Sequence, residues 1–103
     1  MRRAEIYYLE TLAGELLEDE SSQQYLFTYN PDYSGPPISL TMPLRDEPYN
    51  FDTFPPFFDG LLPEGYQLEA LLRTKKLDRN DHFAQLLLVG TDTVGAVTVR
   101  EAR

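Results

Sequence analysis

The sequence contains no cysteine and only one histidine, His82, among its 103 residues. Without cysteine there is no disulfide framework and no thiolate metal site. One histidine cannot build a histidine-based metal cluster, and no acidic segment has the spacing of an EF-hand calcium loop. We therefore expect neither a metal nor a cofactor, and we interpret His82 as a solvated or capping residue at the start of a helix.

Positive charge is also scarce, with 9 lysine and arginine residues against 17 aspartate and glutamate residues and a net charge of −8. Nucleic acids and anionic membranes are bound by clustered cations, so we expect no direct contact with nucleic acid and none with a membrane. No apolar run is long enough to cross a bilayer, and acidic residues interrupt the apolar stretch that a signal peptide needs. We expect a cytoplasmic protein.

Recognisable catalytic motifs are missing as well. The serines lie in no nucleophile-elbow context, and the chain has neither a Walker A sequence nor a dinucleotide-binding glycine pattern. A chain of this length corresponds to one domain, residues 1–103. We predict that this single domain is not an enzyme and has no catalytic residues.

Strand-forming patterns occupy the first half of the chain. Residues 5–10 and 12–18 predict a hairpin that turns near residues 10–11 or 13–14, and residues 24–30 predict a third strand. Residues 38–42 alternate apolar and polar side chains, whereas residues 43–50 are irregular and charged. The alternation predicts a fourth strand with three side chains facing inward: Ile38, Leu40 and Met42.

Helical patterns follow at residues 66–76 and 83–89, and the second helix is expected to end at Gly90. Glu69 and Arg73 have the i,i+4 spacing of a weak surface ion pair. Residues 93–99 predict a last strand, in which Gly95 indicates a close backbone approach. This order predicts an α+β fold: a small antiparallel β-sheet or partial barrel with two to three short helices.

The segment from 53 to 65 combines large apolar side chains with proline and glycine. Pro55 and Pro56 suit the first turn of a helix, and Pro63 and Gly65 break the chain before the next one. The apolar residues between them have helical spacing and are expected to face the core: Phe57, Phe58, Leu61 and Leu62. Because exposing so many large apolar groups is costly, we interpret the segment as a buried corner of fixed shape.

Three residues of this corner carry polar groups that a buried core does not need: Asp59, Glu64 and Tyr66. The two carboxylates either accept hydrogen bonds from backbone N–H groups of the turn or serve a partner. Tyr66 either packs on its own domain or projects outward. Exposed aromatic side chains on rigid turns are effective interface anchors.

The sequence Phe-Phe-Asp-Gly-Leu-Leu-Pro-Glu-Gly, at 57–65, resembles a segment of the N-terminal domain of HipA-type serine/threonine kinases. The stretches 27–30 and 38–45 resemble the same domain, as do 81–88 and 90–96. Together these motifs cover nearly the whole chain in the order of the family. The resemblance implies a single HipA N-terminal-like domain.

The chain ends at Arg103, before the kinase core of that family would begin, and Tyr66, Gln67 and Leu68 stand where HipA-type proteins often have an arginine. In this respect it is similar to the HipS-like antitoxins of tripartite HipBST toxin–antitoxin systems. This resemblance implies an antitoxin that binds and inhibits a separate HipT-like kinase. A HipB-like DNA-binding protein would supply the DNA contact, within one complex.

On this hypothesis the corner docks on the kinase and Tyr66 fills space that nucleotide or substrate needs. The expected partner-binding residues are Asp59, Glu64, Gly65, Tyr66 and Gln67. Two alternatives stay open. The chain could be a subunit that stabilises a HipA-like kinase without inhibiting it, or a truncated HipA remnant with no independent role.

Overall fold

The computed structural model describes residues 2–93 and 95–102, which form one five-stranded antiparallel sheet and three α-helices. The strands are β1 (Arg2–Tyr8), β2 (Thr11–Asp19), β3 (Gln24–Tyr29), β4 (Tyr49–Phe51) and β5 (Val97–Glu101). The helices are α1 (Pro56–Asp59), α2 (Gly65–Lys75) and α3 (His82–Val89), and a 3₁₀ turn, Gly90–Asp92, follows α3. The predicted α+β class is confirmed, and the sheet is open.

The strands lie in the order β4-β3-β2-β1-β5, so the β1–β2 hairpin occupies the centre of the sheet. Alternation along each strand puts one set of apolar side chains on a common, buried face: Ala4, Ile6, Leu16, Phe27, Tyr29, Val97 and Val99. Phe58 of α1 and both Phe83 and Leu86 of α3 are fully buried in the same core. Each such side chain contributes about 1.5–3 kcal/mol on burial, so these two helices are tied to the sheet.

The same face of the sheet ends in a charged rim. Arg2 lies opposite Glu18, and Glu18 lies opposite Tyr25. The Arg2 Nε donates to Glu18 at 2.6 Å, and its terminal nitrogens donate to both oxygens of Asp81 at 3.1 and 2.9 Å. Asp81 also accepts from the Ala84 N–H as the N-cap of α3. These bonds fix the start of α3 on the sheet, and pairing with Arg2 lowers the pKa of Asp81.

The predicted strand at 38–42 is wrong. Ile38 and Met42 are buried as expected, but the chain between them forms a tight turn that leaves Leu40 100% exposed. The Tyr29 hydroxyl donates to the Met42 carbonyl and accepts from the Ile38 N–H. A buried side chain therefore satisfies the backbone groups that a neighbouring strand would otherwise have bonded.

The outer neighbour of β3 is β4, whose first two residues belong to the segment predicted to be irregular. Tyr49 lies opposite Phe27, and Phe51 lies opposite Tyr25. Such aromatic cross-strand pairs stabilise a sheet edge. With three residues between charged and proline-containing neighbours, β4 is too short for its alternation to stand out in the sequence.

Two smaller predictions about the last strand also differ from the structure. The strand begins at Val97 rather than at 93, and Val94 of the predicted strand lies outside the described residues. Gly95 has open space where a Cβ would be, so it marks no close approach; its φ of +114° explains the glycine. The close approach occurs at Gly90, where a Cβ would lie 2.5 Å from that of Val99.

Candidate functional site

Residues 55–67, which comprise α1 and the turn into α2, form the α1–α2 corner, and α1 packs on the core. Pro55 is buried and Pro56 opens the helix, so two fixed φ angles set its direction. Phe58 packs its ring 5.8 Å from that of Phe27. The other three predicted core residues are partly buried rather than fully buried: Phe57, Leu61 and Leu62. The prediction of a shape-fixed apolar corner is thus confirmed for its inner side.

The turn from α1 into α2 depends on Gly65. Glu64 is extended, with φ −130° and ψ 165°, and its side chain does not cap α2. Gly65 then adopts φ +59°, in open space. A residue with a Cβ would cost about 1–2 kcal/mol in this left-handed conformation. The backbone of the corner therefore has a defined direction before any side chain contributes.

All five predicted partner-binding residues lie on the surface of the corner: Asp59, Glu64, Gly65, Tyr66 and Gln67. Tyr66 is 96% exposed, so it does not pack on its own domain. Among the described residues, neither carboxylate accepts a hydrogen bond, so the reading in which Asp59 and Glu64 satisfy N–H groups of the turn is wrong. The corner presents an aromatic ring and two unengaged carboxylates to solvent.

The two carboxylates share a groove of about 330 Å³ between the corner and the start of α3. Its corner side is formed by Asp59, Leu62, Pro63, Glu64 and Leu68, and its far side by Arg79, Asn80, His82 and Gln85. The buried Gln85 amide donates to the carbonyls of Asp78 and Arg79, both at 3.0 Å, which fixes the far wall. Gly65, Tyr66 and Gln67 do not line this groove and stand beside it.

Helix α2 borders this groove through Leu68 and does not enter the core. None of its residues is buried, and its apolar stripe of Leu68, Leu71 and Leu72 is only half-buried. The predicted pair of Glu69 with Arg73 is wrong, because Glu69 bonds Arg79 at 2.6 Å. Lys76 explains why Arg79 is the partner of Glu69, because its left-handed φ of 55° turns the chain back along the helix.

His82 is the first residue of α3 and is half-buried, with its ring 5.4 Å from that of Phe54. The capping residue is its neighbour Asp81, so the interpretation of His82 as solvated or capping is only partly right. Across residues 2–93 and 95–102, no group of three or more acidic or histidine side chains could hold a metal ion. In that part of the chain, no helix has the length and apolar character needed to span a membrane.

Sequence reasoning missed two surface features. Leu40 was expected in the core, and its exposure depends on the Tyr29 hydrogen bonds, which no local pattern reveals. Arg73, Lys75 and Lys76 lie at the end of the predicted helix 66–76, but their lack of side-chain partners among the described residues becomes visible only in the structure, where the other described cations form ion pairs or lie over aromatic rings.

Comparison with known proteins gives a consistent result. Residues 4–100 match the family described as HipA N-terminal domain. An uncharacterized protein of Haemophilus influenzae is 34% identical over 103 residues, covering 100% of this chain and 95% of that protein. A solved structure described as the N-terminal domain of HipA toxin has a TM-score of 0.75 and 31% identity, covering 100% of this chain and 94% of that one.

Longer relatives match over the same region. The serine/threonine-protein kinase toxin HipA of Shewanella oneidensis is 30% identical over 95 residues, which are 90% of this chain but 22% of the kinase. A structure of the Shewanella oneidensis toxin–antitoxin system, with HipA, HipB and operator DNA, matches with a TM-score of 0.78 and 28% identity, over 94% of this chain and 23% of that one. The chain thus spans about a quarter of these kinases.

Proposed function

This chain belongs to the HipA N-terminal domain family, and from that membership we propose that it is an antitoxin that binds a separate HipT-type serine/threonine kinase and inhibits it. The Haemophilus influenzae relative supports a separate existence for such a domain, since this chain covers 95% of it. In the kinase relatives the matching region is about a quarter of the protein. In this proposal the chain docks on the separate kinase in the way that the N-terminal domain of a HipA-type kinase docks on the kinase core of its own polypeptide.

The observation that carries the proposal is the exposed Tyr66 on a corner of fixed backbone. A tyrosine that is 96% exposed gains nothing from its own fold, while Phe58 packs α1 on the core and Gly65 permits the left-handed turn that precedes the tyrosine. Rigid aromatic side chains lose little entropy on binding and are common interface anchors. The corner therefore has the properties of a preformed plug.

We propose that the corner enters the active-site cleft of the kinase. Kinases bind the phosphates of ATP with a lysine and metal ions, so a carboxylate at that position competes for the same positive groups. Asp59 and Glu64 supply two such carboxylates, which have no partner among the described residues. Tyr66 fills the adjoining space, and Gly65 and Gln67 bring backbone and amide groups into the contact.

The partner complex in this proposal includes a HipB-like DNA-binding protein, which makes the DNA contact. The net charge of −8 argues against a direct contact of this chain with DNA. The chain itself has no catalytic role in the proposal, and the assembly is cytoplasmic. It acts by occupying a surface of an enzyme made as another polypeptide.

The test is phosphotransfer by the purified kinase at increasing concentrations of this chain. Tyr66→Ala should raise the concentration needed for half-inhibition about 30-fold, because a central aromatic anchor contributes about 2 kcal/mol. Tyr66→Phe keeps the ring and should inhibit nearly as well as the wild type. Leu40→Ala is the matched control, since Leu40 is equally exposed on a different turn.

The outcomes separate the candidate functions. Inhibition by Tyr66→Ala equal to that of the wild type would contradict the plug but not the partnership. A wild-type chain that co-elutes with the kinase without inhibiting it would identify a stabilising subunit instead. Separate elution of the two proteins at micromolar concentration would contradict the partnership and favour a remnant without a role of its own.

A further inference from the structure

The cations of this protein divide sharply into those with partners and those without. Among the described residues, Arg2, Arg3 and Arg79 form ion pairs, and Arg45 and Arg100 lie over the rings of Tyr49 and Tyr7. The remaining described cations have no side-chain partner, and all are exposed at one end of α2: Arg73, Lys75 and Lys76. On a chain of net charge −8, this is a local patch of positive charge.

The helix dipole explains part of this placement, because cations favour the last turn of a helix. It does not explain the whole patch. Lys76 lies beyond the helix in the left-handed conformation, with φ 55°, where glycine is usual. Acidic residues are plentiful elsewhere on the surface, yet Glu69, the carboxylate of α2, bonds Arg79 instead. Within the described part of the chain, three cations thus have no side-chain partner at one exposed helix end.

The patch lies at the end of the helix that carries Tyr66. Tyr66, Ala70 and Arg73 are spaced i, i+4 and i+7, so they form one stripe, and all three are exposed. Helix α2 has 11 residues, so its length of about 16 Å separates the plug from the cations. None of its residues is buried, which leaves the stripe free along its length.

We propose that Arg73, Lys75 and Lys76 dock on a carboxylate-rich surface of the kinase partner, about one helix length from the site that Tyr66 enters. This inference rests on the proposed function and adds a second contact to it. Exposed charges at the edge of an interface mainly accelerate association and orient the partners. The patch therefore guides the corner into the cleft, and Tyr66 then blocks it.

The experiment measures association rate and affinity for the kinase over a range of salt concentrations. Arg73→Gln, Lys75→Gln and Lys76→Gln together remove the patch and keep good helix formers. The matched control is Arg3→Gln, Arg45→Gln and Arg100→Gln, which changes the net charge equally at three other exposed arginines. The α2 variant should associate about tenfold more slowly at low ionic strength, with a flatter salt dependence.

Each result has a defined meaning. An unchanged control supports the proposal, and Tyr66→Ala should lose inhibition while keeping the wild-type salt dependence. Equal losses in both triple variants would overturn it, because net charge alone would then be responsible. Loss of binding to labelled operator DNA, with kinase association intact, would overturn it in favour of a nucleic-acid contact. If the wild-type chain forms no kinase complex, both proposals fail.

Discussion

At the rim of the sheet, Arg2 bonds Glu18 and Asp81, whereas at the end of α2 the cations Arg73, Lys75 and Lys76 have no side-chain partner among the described residues. The rim is partly buried, and burying a charge without a partner is costly. The end of α2 is exposed, so water compensates its charges at little cost. Side chains of the same chemistry thus stabilise the fold in one region and stay exposed to solvent in the other.

The apolar residues show the same contrast. Phe58 is fully buried and Tyr66, eight positions later, is 96% exposed. The corner therefore has an inner side that belongs to the core and an outer side that contributes nothing to it. If this division is correct, stability and binding respond to different substitutions.

The largest expected effect separates the two sides of the corner. Phe58→Ala should lower the free energy of unfolding by about 3–5 kcal/mol, because it removes a fully buried ring and leaves a cavity. Tyr66→Ala should change it by less than about 0.5 kcal/mol, as expected for an exposed residue. Urea unfolding followed by circular dichroism measures both. Comparable losses in the two variants would show that Tyr66 packs on its own domain.

A smaller effect is expected at the rim. Arg2→Met should destabilise the protein by about 2–3 kcal/mol, because Glu18 stays buried without its charged donor. Arg73→Met, at the free end of α2, is the control and should be nearly neutral. Equal shifts of the urea midpoint in the two variants would contradict the distinction between the paired Arg2 and the exposed Arg73.

The smallest effect concerns the acid side of the stability curve. Pairing with Arg2 lowers the pKa of Asp81. The contribution of this ion pair to the free energy of unfolding is therefore present above about pH 4 and is lost as the pH falls through the lowered pKa. Asp81→Asn keeps a capping residue but loses the charge. The variant should therefore be less stable than the wild type at pH 7, and the difference should shrink at pH 3. A constant difference at both pH values would mean that the charge has no role.

The fold class followed from the sequence because its main signals are local. The strand-forming residues of β1, β2 and β3 and the helical spacing in α2 and α3 are properties of neighbouring residues. The fourth strand did not follow, since Ile38 and Met42 satisfy the alternation equally well in a turn whose backbone Tyr29 bonds. That hydrogen bond joins residues 13 positions apart, and no local sequence pattern in either segment predicts it.

The candidate site was partly visible in the same way. Proline and glycine predicted a rigid corner, whereas the sequence left open whether the tyrosine after the break packs on its own domain or projects outward. The Arg2 and Asp81 contact spans 79 positions, so no local pattern could indicate it. Glu69 pairs with Arg79 rather than with Arg73 because the chain reverses direction at Lys76. A lysine in the sequence does not predict such a reversal.

By itself, the sequence determined the class of fold, the excess of negative charge and the presence of a stiff aromatic corner, because composition and short-range spacing carry these properties. The tertiary structure decided which side of the corner is buried and, among the described residues, which carboxylates and which cations have side-chain partners. Those outcomes depend on contacts between distant segments, and desolvation makes such contacts decisive only after the chain has folded.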